Sequence, residues 1–203
     1  MSARRPAIRA SAVATGKGDD GTTGLLFGGP ARIPKDDPRT EAFGTIDEAV
    51  AALGVARAEL TLAAGDPIKR EFAELILRIQ RELFVVGAEL AADARARARL
   101  EDGVSRVSEV MLTDLESILA DMEARVSMPR QFVVPGETRA SAALELGRAI
   151  LRRAERRAVS LRRAGDLPGD WLLPYVNRLA DLLWVLARLA EQAEQKAAPP
   201  SRP

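Results

Sequence analysis

Apolar side chains recur every three or four residues through most of the chain, a spacing that predicts amphipathic helices. The clearest series follows Asp66-Pro67, a pair that favours a helix N-terminus, and comprises Ile68, Phe72, Leu75, Ile79, Leu83, Val86 and Leu90. We expect this second helix to fray in the Ala/Arg run before Asp102-Gly103. The helix before it is predicted to start at a capping box formed by Thr45 and Glu48 and to stop at Gly65.

Three further helical patterns follow. One begins near Ser108 or Thr113, one runs from about Ser141 to Arg163, and the last opens at Pro174. Between the first two of these, residues 131–136 (QFVVPG) break the helical spacing and predict a short extended segment that ends in a turn. Five helices joined by short links predict an all-α, up-and-down helical bundle.

The two ends of the chain differ in composition from its middle. Residues 1–14 are rich in Arg, Ala and Ser and are predicted to be a disordered tail, although they resemble a short transit peptide weakly. Residues 193–203 end in a proline-rich stretch and are also predicted to be a disordered tail. We therefore expect one domain over 15–192 in the cytoplasm, or in the mitochondrial matrix if the N-terminus is a targeting segment.

Composition restricts the chemistry. With 47% hydrophobic and 29% charged residues and no apolar run long enough to cross a bilayer, the chain is typical of a soluble globular protein. A net charge of +1 and an aromatic content of 4% argue against nucleic-acid binding. The sequence contains neither histidine nor cysteine, which excludes Ser–His–Asp catalysis and thiolate nucleophiles. Any catalysis must rely on carboxylates, Arg, Lys, backbone dipoles or a bound metal or cofactor.

The segment Thr15–Gly29 (TGKGDDGTTGLLFGG) combines glycine with Asp and Thr. Glycine lets the backbone approach a ligand closely, so that successive N–H groups can bind an anion such as phosphate. The aspartates and threonines nearby suit a hydrated Mg²⁺. An ordinary surface turn is the alternative, because the same residues punctuate loops and the segment is not a Walker A motif.

A charged stripe borders the apolar face of the fourth predicted helix. At 100° per residue, Arg148, Arg152 and Glu155 lie within about 60° of one another. Arg153 and Arg157 fall on the far side of the helix and are predicted to be solvated. A solvent-exposed face with pairs between successive turns is the alternative for the whole stripe.

The fifth predicted helix places Asn177 and Asp181 one turn apart, with Trp184 on the same flank. Arginines beside an apolar face need carboxylates or a polyanion as partners. The charged stripe with Arg148 and Arg152, called the arginine stripe, and the segment Thr15–Gly29, called the glycine loop, would suit the two sides of one triphosphate site. Because bundles often self-associate, the loop of one subunit can meet the arginine stripe of its neighbour.

Several longer motifs occur in a fixed order: GDDGTTGL at 18–25, PKDDPR at 34–39, GTIDE at 44–48, RIQRELFVVGAELA at 78–91, FVVPG at 132–136, RRAERR at 152–157 and LPYVNRLADLLWVLAR at 173–188. In this order, over roughly residues 14–192, the chain resembles the PduO-type ATP:cob(I)alamin adenosyltransferases. The resemblance implies a five-helix bundle that forms a homotrimer, with active sites between subunits.

The resemblance also assigns residues to ATP. It implies that an N-terminal loop wraps Mg-ATP through Thr15, Gly16, Lys17, Gly18, Asp20, Gly21, Thr22, Thr23 and Lys35. From the adjacent subunit, Arg152, Glu155 and Asn177 would meet the nucleotide, with Glu155 at its Mg²⁺. Asp47 and Arg148 would form an intersubunit salt bridge that shapes the site and, with Arg152, support catalysis.

For the second substrate, the resemblance assigns Phe132 and Asp181 to cobalamin. Phe132 would press on the lower face of the corrin and keep the cobalt free of its dimethylbenzimidazole ligand. The implied reaction is attack of Co(I) on C5′ of ATP, which transfers the 5′-deoxyadenosyl group and releases triphosphate. The absence of histidine agrees with a four-coordinate Co(II) intermediate. A flavin-dependent reductase and an adenosylcobalamin-dependent enzyme are the expected protein partners.

Three positions depart from the family pattern. Gly16-Lys17 stands where the family has a Thr and a basic residue, Ala49-Val50 replaces Leu-Asn, and Glu137 replaces a second glycine. These departures motivate one alternative function. In that reading the chain is a diverged paralogue that binds ATP or adenosylcobalamin as a carrier or regulator.

Overall fold

The computed structural model describes residues 11, 13–62, 65–167 and 169–202. Within them the chain forms a small hairpin and five α-helices: β1 (Thr22–Gly24), β2 (Arg32–Pro34), α1 (Pro38–Thr61), α2 (Pro67–Ala91), α3 (Glu109–Glu123), α4 (Arg139–Arg163) and α5 (Leu172–Ala193). A 3₁₀ helix over Ala94–Arg99 follows α2. The predicted helical class is confirmed, with the hairpin as an addition. Most of the predicted N-terminal tail, residues 1–10 and 12, lies outside the described residues.

Helix α1 starts eight residues earlier than the sequence pattern predicts. Its cap is Asp37, whose carboxylate accepts a hydrogen bond from the Arg39 backbone at 2.8 Å, with Pro38 in the first helical position. Thr45 is buried inside the helix, where its hydroxyl donates to the Glu41 carbonyl at 2.6 Å. The predicted capping box at Thr45 is therefore wrong, because an Asp-Pro pair upstream already provides a start.

The starts of α2, α3 and α4 follow local capping chemistry. Asp66 caps α2 as predicted, accepting from the Ile68 backbone at 2.9 Å. Ser108 caps α3, which selects the earlier of the two predicted starts. Helix α4 begins at Arg139 because Thr138 and Ser141 exchange reciprocal capping bonds of 3.0 and 3.1 Å. Helix α5 begins at Leu172, so the predicted opening proline, Pro174, lies in its first turn, where no backbone donor is lost.

The helices bury their apolar faces in one core. Helix α1 packs against α2 and α4, and α5 packs against α2, α3 and α4. At the α1–α4 crossing, a Cβ added to Gly147 would lie 3.0 Å from a methyl group of the fully buried Leu53. Glycine therefore permits the close approach of the two helices. Among the described residues, no helix has the length and apolarity that crossing a membrane requires.

The hairpin is attached to the end of the bundle where α1 begins and α2 ends. Strands β1 and β2 are antiparallel, and the Leu26 backbone beyond β1 bonds to Ala91 and Asp93 at 2.8 and 3.0 Å. The buried side chain of Arg39 donates to the carbonyls of Leu90 and Ala92 at 3.1 and 3.0 Å. These contacts satisfy carbonyl groups at the C-terminus of α2 and fix the glycine loop beside it.

The extended segment predicted over 131–136 pairs with the end of the chain. Val133 and Pro200 form an isolated antiparallel bridge, and two backbone hydrogen bonds flank it. Pro200 lies within residues 193–203, for which the sequence predicts a disordered tail. The last residues of the chain thus contact the loop between α3 and α4.

Candidate active site

The glycine loop is a series of turns in front of β1. Gly16 and Gly21 have φ of 66° and 79°, values in the left-handed region that favours glycine. The Gly21 N–H donates to the Gly18 carbonyl at 3.2 Å, and the Lys35 N–H donates to the Gly21 carbonyl at 2.9 Å. Thr15 and Lys17 are exposed, and Thr23 pairs with Ile33 inside the hairpin. The loop is therefore largely open to solvent but is closed at its base by β2.

Lys35 and Asp20 bring opposite charges to this loop. The ammonium group of Lys35 lies over Gly18, where an added Cβ would approach Nζ to 2.9 Å. The Asp20 carboxylate accepts hydrogen bonds from the Thr22 N–H and hydroxyl at 3.0 and 2.7 Å. These two bonds lower the pKa of Asp20, which stays ionised at neutral pH. Lys35 and Asp20 thus offer a cation and a carboxylate to a ligand that carries both phosphates and a metal ion.

Arg32 holds the loop in this shape, although the sequence patterns do not single it out. Its Nε donates to the Thr22 hydroxyl at 2.6 Å, and its Nη2 donates to the carbonyls of Lys17 and Thr22 at 2.8 and 2.7 Å. Arg32 reaches these groups because β2 places it opposite Gly24. Only knowledge of the hairpin register could have identified it, since no helical spacing connects residues 17 and 32.

Helices α4 and α5 bring two of the predicted nucleotide-binding side chains together. The Asn177 amide nitrogen donates to Glu155 Oε1 at 3.2 Å. The Arg178 guanidinium donates to Asn177 Oδ1 at 3.1 Å and to Glu116 of α3 at 3.1 Å, which orients the amide. Arg152 is exposed, and its side chain makes no hydrogen bond or ion pair with any described residue. It is therefore a cation open to an external anion.

The predicted solvation of Arg153 and Arg157 is wrong. Arg153 forms an ion pair with Glu48, and Arg157 forms one with Glu41, both on α1. Both arginine side chains are about 40% exposed rather than fully solvated. The error arises because α4 packs against α1 on this side, so the face opposite to the Arg152 stripe is an interhelical seam.

Arg148 and Asp47 do not meet within the chain. The Arg148 Nε donates to Glu145 Oε2 at 2.7 Å, and Arg148 is 30% exposed. Asp47 is exposed and forms no ion pair with the residues that the structure describes. The predicted salt bridge between subunits stays a prediction.

The two residues assigned to cobalamin lie on the surface. Phe132 is 88% exposed, a large unburied apolar area for one side chain. Asp181 is exposed on α5 and has no ion pair within the described part of the chain. An apolar groove of about 260 Å³ lies elsewhere, between α1, α2 and the hairpin, and is lined by Phe43, Val50 and Phe84, with Asp47 at its edge.

A buried carboxyl group lies near the C-terminal end of α2. Glu89 is completely buried on α2, and its Oε2 accepts from the Val107 N–H at 2.7 Å while Oε1 lies against the backbone of Gly169. Burial raises the pKa of Glu89 to about 7, although Arg106 and Arg162 oppose the shift. Sequence reasoning missed Glu89. The available signal was an acidic residue directly before Leu90 on the buried stripe of α2.

The described residues contain no cluster of three or more carboxylates that would hold a metal ion by themselves. Mg²⁺ in nucleotide sites usually takes one or two protein carboxylates and completes its shell with phosphates and water. Glu155 fits this requirement, because Asn177 occupies its Oε1 and its Oε2 accepts no hydrogen bond from the described residues.

Comparison with known proteins identifies the family. The model of the cobalamin adenosyltransferase family matches residues 13–190. The chain belongs to this family. The resemblance that the sequence motifs indicate is thereby confirmed, and the match spans the glycine loop, helices α1 to α4 and α5 as far as Ala190.

The proteins that are similar in sequence or in structure include several corrinoid adenosyltransferases. A corrinoid adenosyltransferase of Citrobacter freundii is 40% identical over 177 residues, which cover 87% of this chain and 93% of that protein. The corrinoid adenosyltransferase PduO of Salmonella typhimurium is 36% identical over 92% of this chain, which spans only 52% of that protein. A variant PduO-type ATP:corrinoid adenosyltransferase from Lactobacillus reuteri, solved with cobalamin and ATP, superposes with a TM-score of 0.80 at 28% identity, covering 93% of this chain and 98% of that one.

Proposed function

We propose that the chain transfers the 5′-deoxyadenosyl group of ATP to cob(I)alamin, giving adenosylcobalamin and triphosphate. The observation that carries this proposal is the family match over residues 13–190, which includes every predicted site residue. Co(I) supplies the nucleophile, so the protein has to position C5′ of ATP and neutralise the triphosphate that leaves. The side chains described above are suited to that task.

The nucleotide would bind between two subunits of a homotrimer. One subunit contributes residues 15–23 of the glycine loop, together with Lys35 above Gly18. The adjacent subunit contributes Arg152, whose guanidinium is open to an anion. Charge-assisted bonds from Lys and Arg to phosphate oxygens become stronger as charge develops on the leaving triphosphate. Asp47 and Arg148 would join the two subunits beside this site.

Glu155 is the residue proposed to hold Mg²⁺ with the ATP phosphates. The ion would neutralise part of the triphosphate charge. Asn177 holds one Glu155 oxygen at 3.2 Å and leaves the other oxygen for the ion. Arg178 fixes the amide of Asn177 and so keeps the carboxylate oriented.

Cobalamin would bind at the surface that displays Phe132 and Asp181. An aromatic side chain that is 88% exposed has a large apolar area available for the corrin. By covering the lower face of the ring, Phe132 would keep dimethylbenzimidazole from the cobalt, which makes reduction to Co(I) easier. A flavin-dependent reductase and an adenosylcobalamin-dependent enzyme are the proposed protein partners, and the cytoplasm is the proposed location.

An anaerobic assay tests the reaction. The protein is incubated with ATP, Mg²⁺ and chemically reduced cobalamin, and parallel samples omit ATP or contain excess chelator. We expect the cob(I)alamin spectrum to disappear and adenosylcobalamin and triphosphate to form in equal amounts. Binding of both substrates without product would instead identify a carrier or regulator.

A further inference from the structure

Helix α5 ends in a motif that turns the chain back on itself. Gln195 has φ of 56°, the Gln195 N–H donates to the Gln192 carbonyl, and the Lys196 N–H donates to the Glu191 carbonyl, each at 2.9 Å. This is the Schellman arrangement, in which a left-handed residue closes a helix and reverses the chain direction. The residues that follow, 196–201, are called the C-terminal strap.

The strap forms an antiparallel contact with the segment that carries Phe132. The Val134 N–H donates to the Pro199 carbonyl at 2.9 Å, and the Ser201 N–H donates to the Phe132 carbonyl at 2.7 Å. Val133 and Pro200 face each other between these bonds. The contact therefore fixes the backbone on both sides of Val133, including the residue that bears the exposed phenyl ring.

Further contacts anchor the strap to the bundle. The Lys196 ammonium donates to the Glu137 carbonyl at 3.0 Å, just before α4 begins. The backbone of Ala198 lies beside the buried carboxylate of Glu191, which accepts a hydrogen bond from Arg188 at 2.9 Å. The prolines at 199 and 200 restrict the strap to an extended conformation, so that little conformational entropy is lost when it pairs.

The Phe132 segment has no other backbone support in the described part of the chain. Within residues 128–136, the backbone hydrogen bonds go to the strap alone. From these contacts we propose that the C-terminal strap positions Phe132 for cobalamin, and that Ser201 is a positioning residue through its backbone N–H. The proposal rests on the proposed assignment of Phe132 to the corrin.

A single substitution tests the strap without removing a side-chain contact. Ser201→Pro deletes the N–H that bonds to Phe132, whereas Ser201→Ala keeps it and serves as the matched control. Hydrogen exchange of residues 131–136 measures the contact independently of activity. We expect faster exchange in Ser201→Pro and in a chain that ends at Gln195, and wild-type exchange in Ser201→Ala.

The functional measurements separate the two substrates. In Ser201→Pro we expect the Kd for cob(II)alamin to rise about fivefold, as for the loss of one hydrogen bond, and the spectroscopic signal of four-coordinate cob(II)alamin to weaken. The Kd for ATP is expected to remain unchanged. Unaltered hydrogen exchange in Ser201→Pro and in the chain that ends at Gln195 would show that the strap does not hold residues 131–136. Faster exchange with unaltered cob(II)alamin binding would overturn the positioning role of the strap. A wild-type protein that binds cob(II)alamin but forms no product would overturn the proposed function alone.

Discussion

Arg152 and Arg157 lie five residues apart on α4 but face different surroundings. Arg157 is paired with Glu41 of the same chain, whereas Arg152 is open to solvent. We expect Arg152→Ala to lower kcat/KM for ATP by about 10²- to 10³-fold, because a cation that stabilises the leaving triphosphate is lost. Steady-state kinetics at saturating cob(I)alamin measure the change, and thermal unfolding should show little loss of stability.

Arg157→Ala is the matched control for this prediction. It removes one half-exposed ion pair, which costs about 0–1 kcal/mol of stability, and it leaves kcat/KM near the wild-type value. Equal loss of activity in the two variants would show that the face assigned to the nucleotide is incorrect.

Glu89 predicts an unusual pH dependence of stability. Its pKa is about 7 in the folded chain against an ordinary value of 4.5. Between pH 4.5 and 7 the Glu89 carboxyl group is therefore protonated in the folded state but ionised in the unfolded state. Stability therefore falls as pH rises from about 4.5 to 7, by about 3 kcal/mol for this group, and is constant above that range. Glu89→Gln cannot ionise but still accepts from Val107, so this part of the pH dependence is expected to vanish.

Urea unfolding of both proteins between pH 5 and 8 measures the effect of Glu89. Glu74→Gln is a suitable control, because Glu74 lies on the same helix but is exposed. If Glu89→Gln and Glu74→Gln show the same dependence on pH as the wild type, Glu89 is not the group responsible.

At the level of elements, the periodic helices were predictable and their packing partners were not. The apolar series of α2 predicts the helix, because the same residues that define the pattern form its buried face. The hairpin could not be predicted, because β1 and β2 have only three residues each and are stabilised by contacts to α2 and by Arg32. Likewise, the partners of Arg153 and Arg157 depend on which face of α4 meets α1.

The hairpin therefore provides a prediction about the shape of the loop. Arg32→Lys keeps the positive charge but cannot reproduce the three hydrogen bonds of the guanidinium group to Lys17 and Thr22. We expect the KM for ATP to rise about tenfold with kcat nearly unchanged, since the loop must be ordered by the nucleotide instead. An unchanged KM would show that Arg32 does not organise the site.

At the level of the whole molecule, the proposed nucleotide site draws on two copies of the chain. The sequence motifs name the residues on both sides of this proposed site, but no hydrogen bond or ion pair joins the side chains of Arg152 and Lys35 within the described part of the chain. Which surfaces meet depends on complementarity between copies of the chain, and a single helical spacing carries no information about that.

Mixed oligomers decide whether the site is shared. Lys35→Ala and Arg152→Ala each remove one side of the proposed nucleotide site, so each variant alone is expected to be nearly inactive. When the two are unfolded together and refolded at random into the proposed homotrimer, about one quarter of the interfaces combine an intact loop with an intact Arg152. We expect the mixture to regain about one quarter of wild-type activity. If each site lies within one subunit, mixing restores nothing, because every chain carries a defect in its own site.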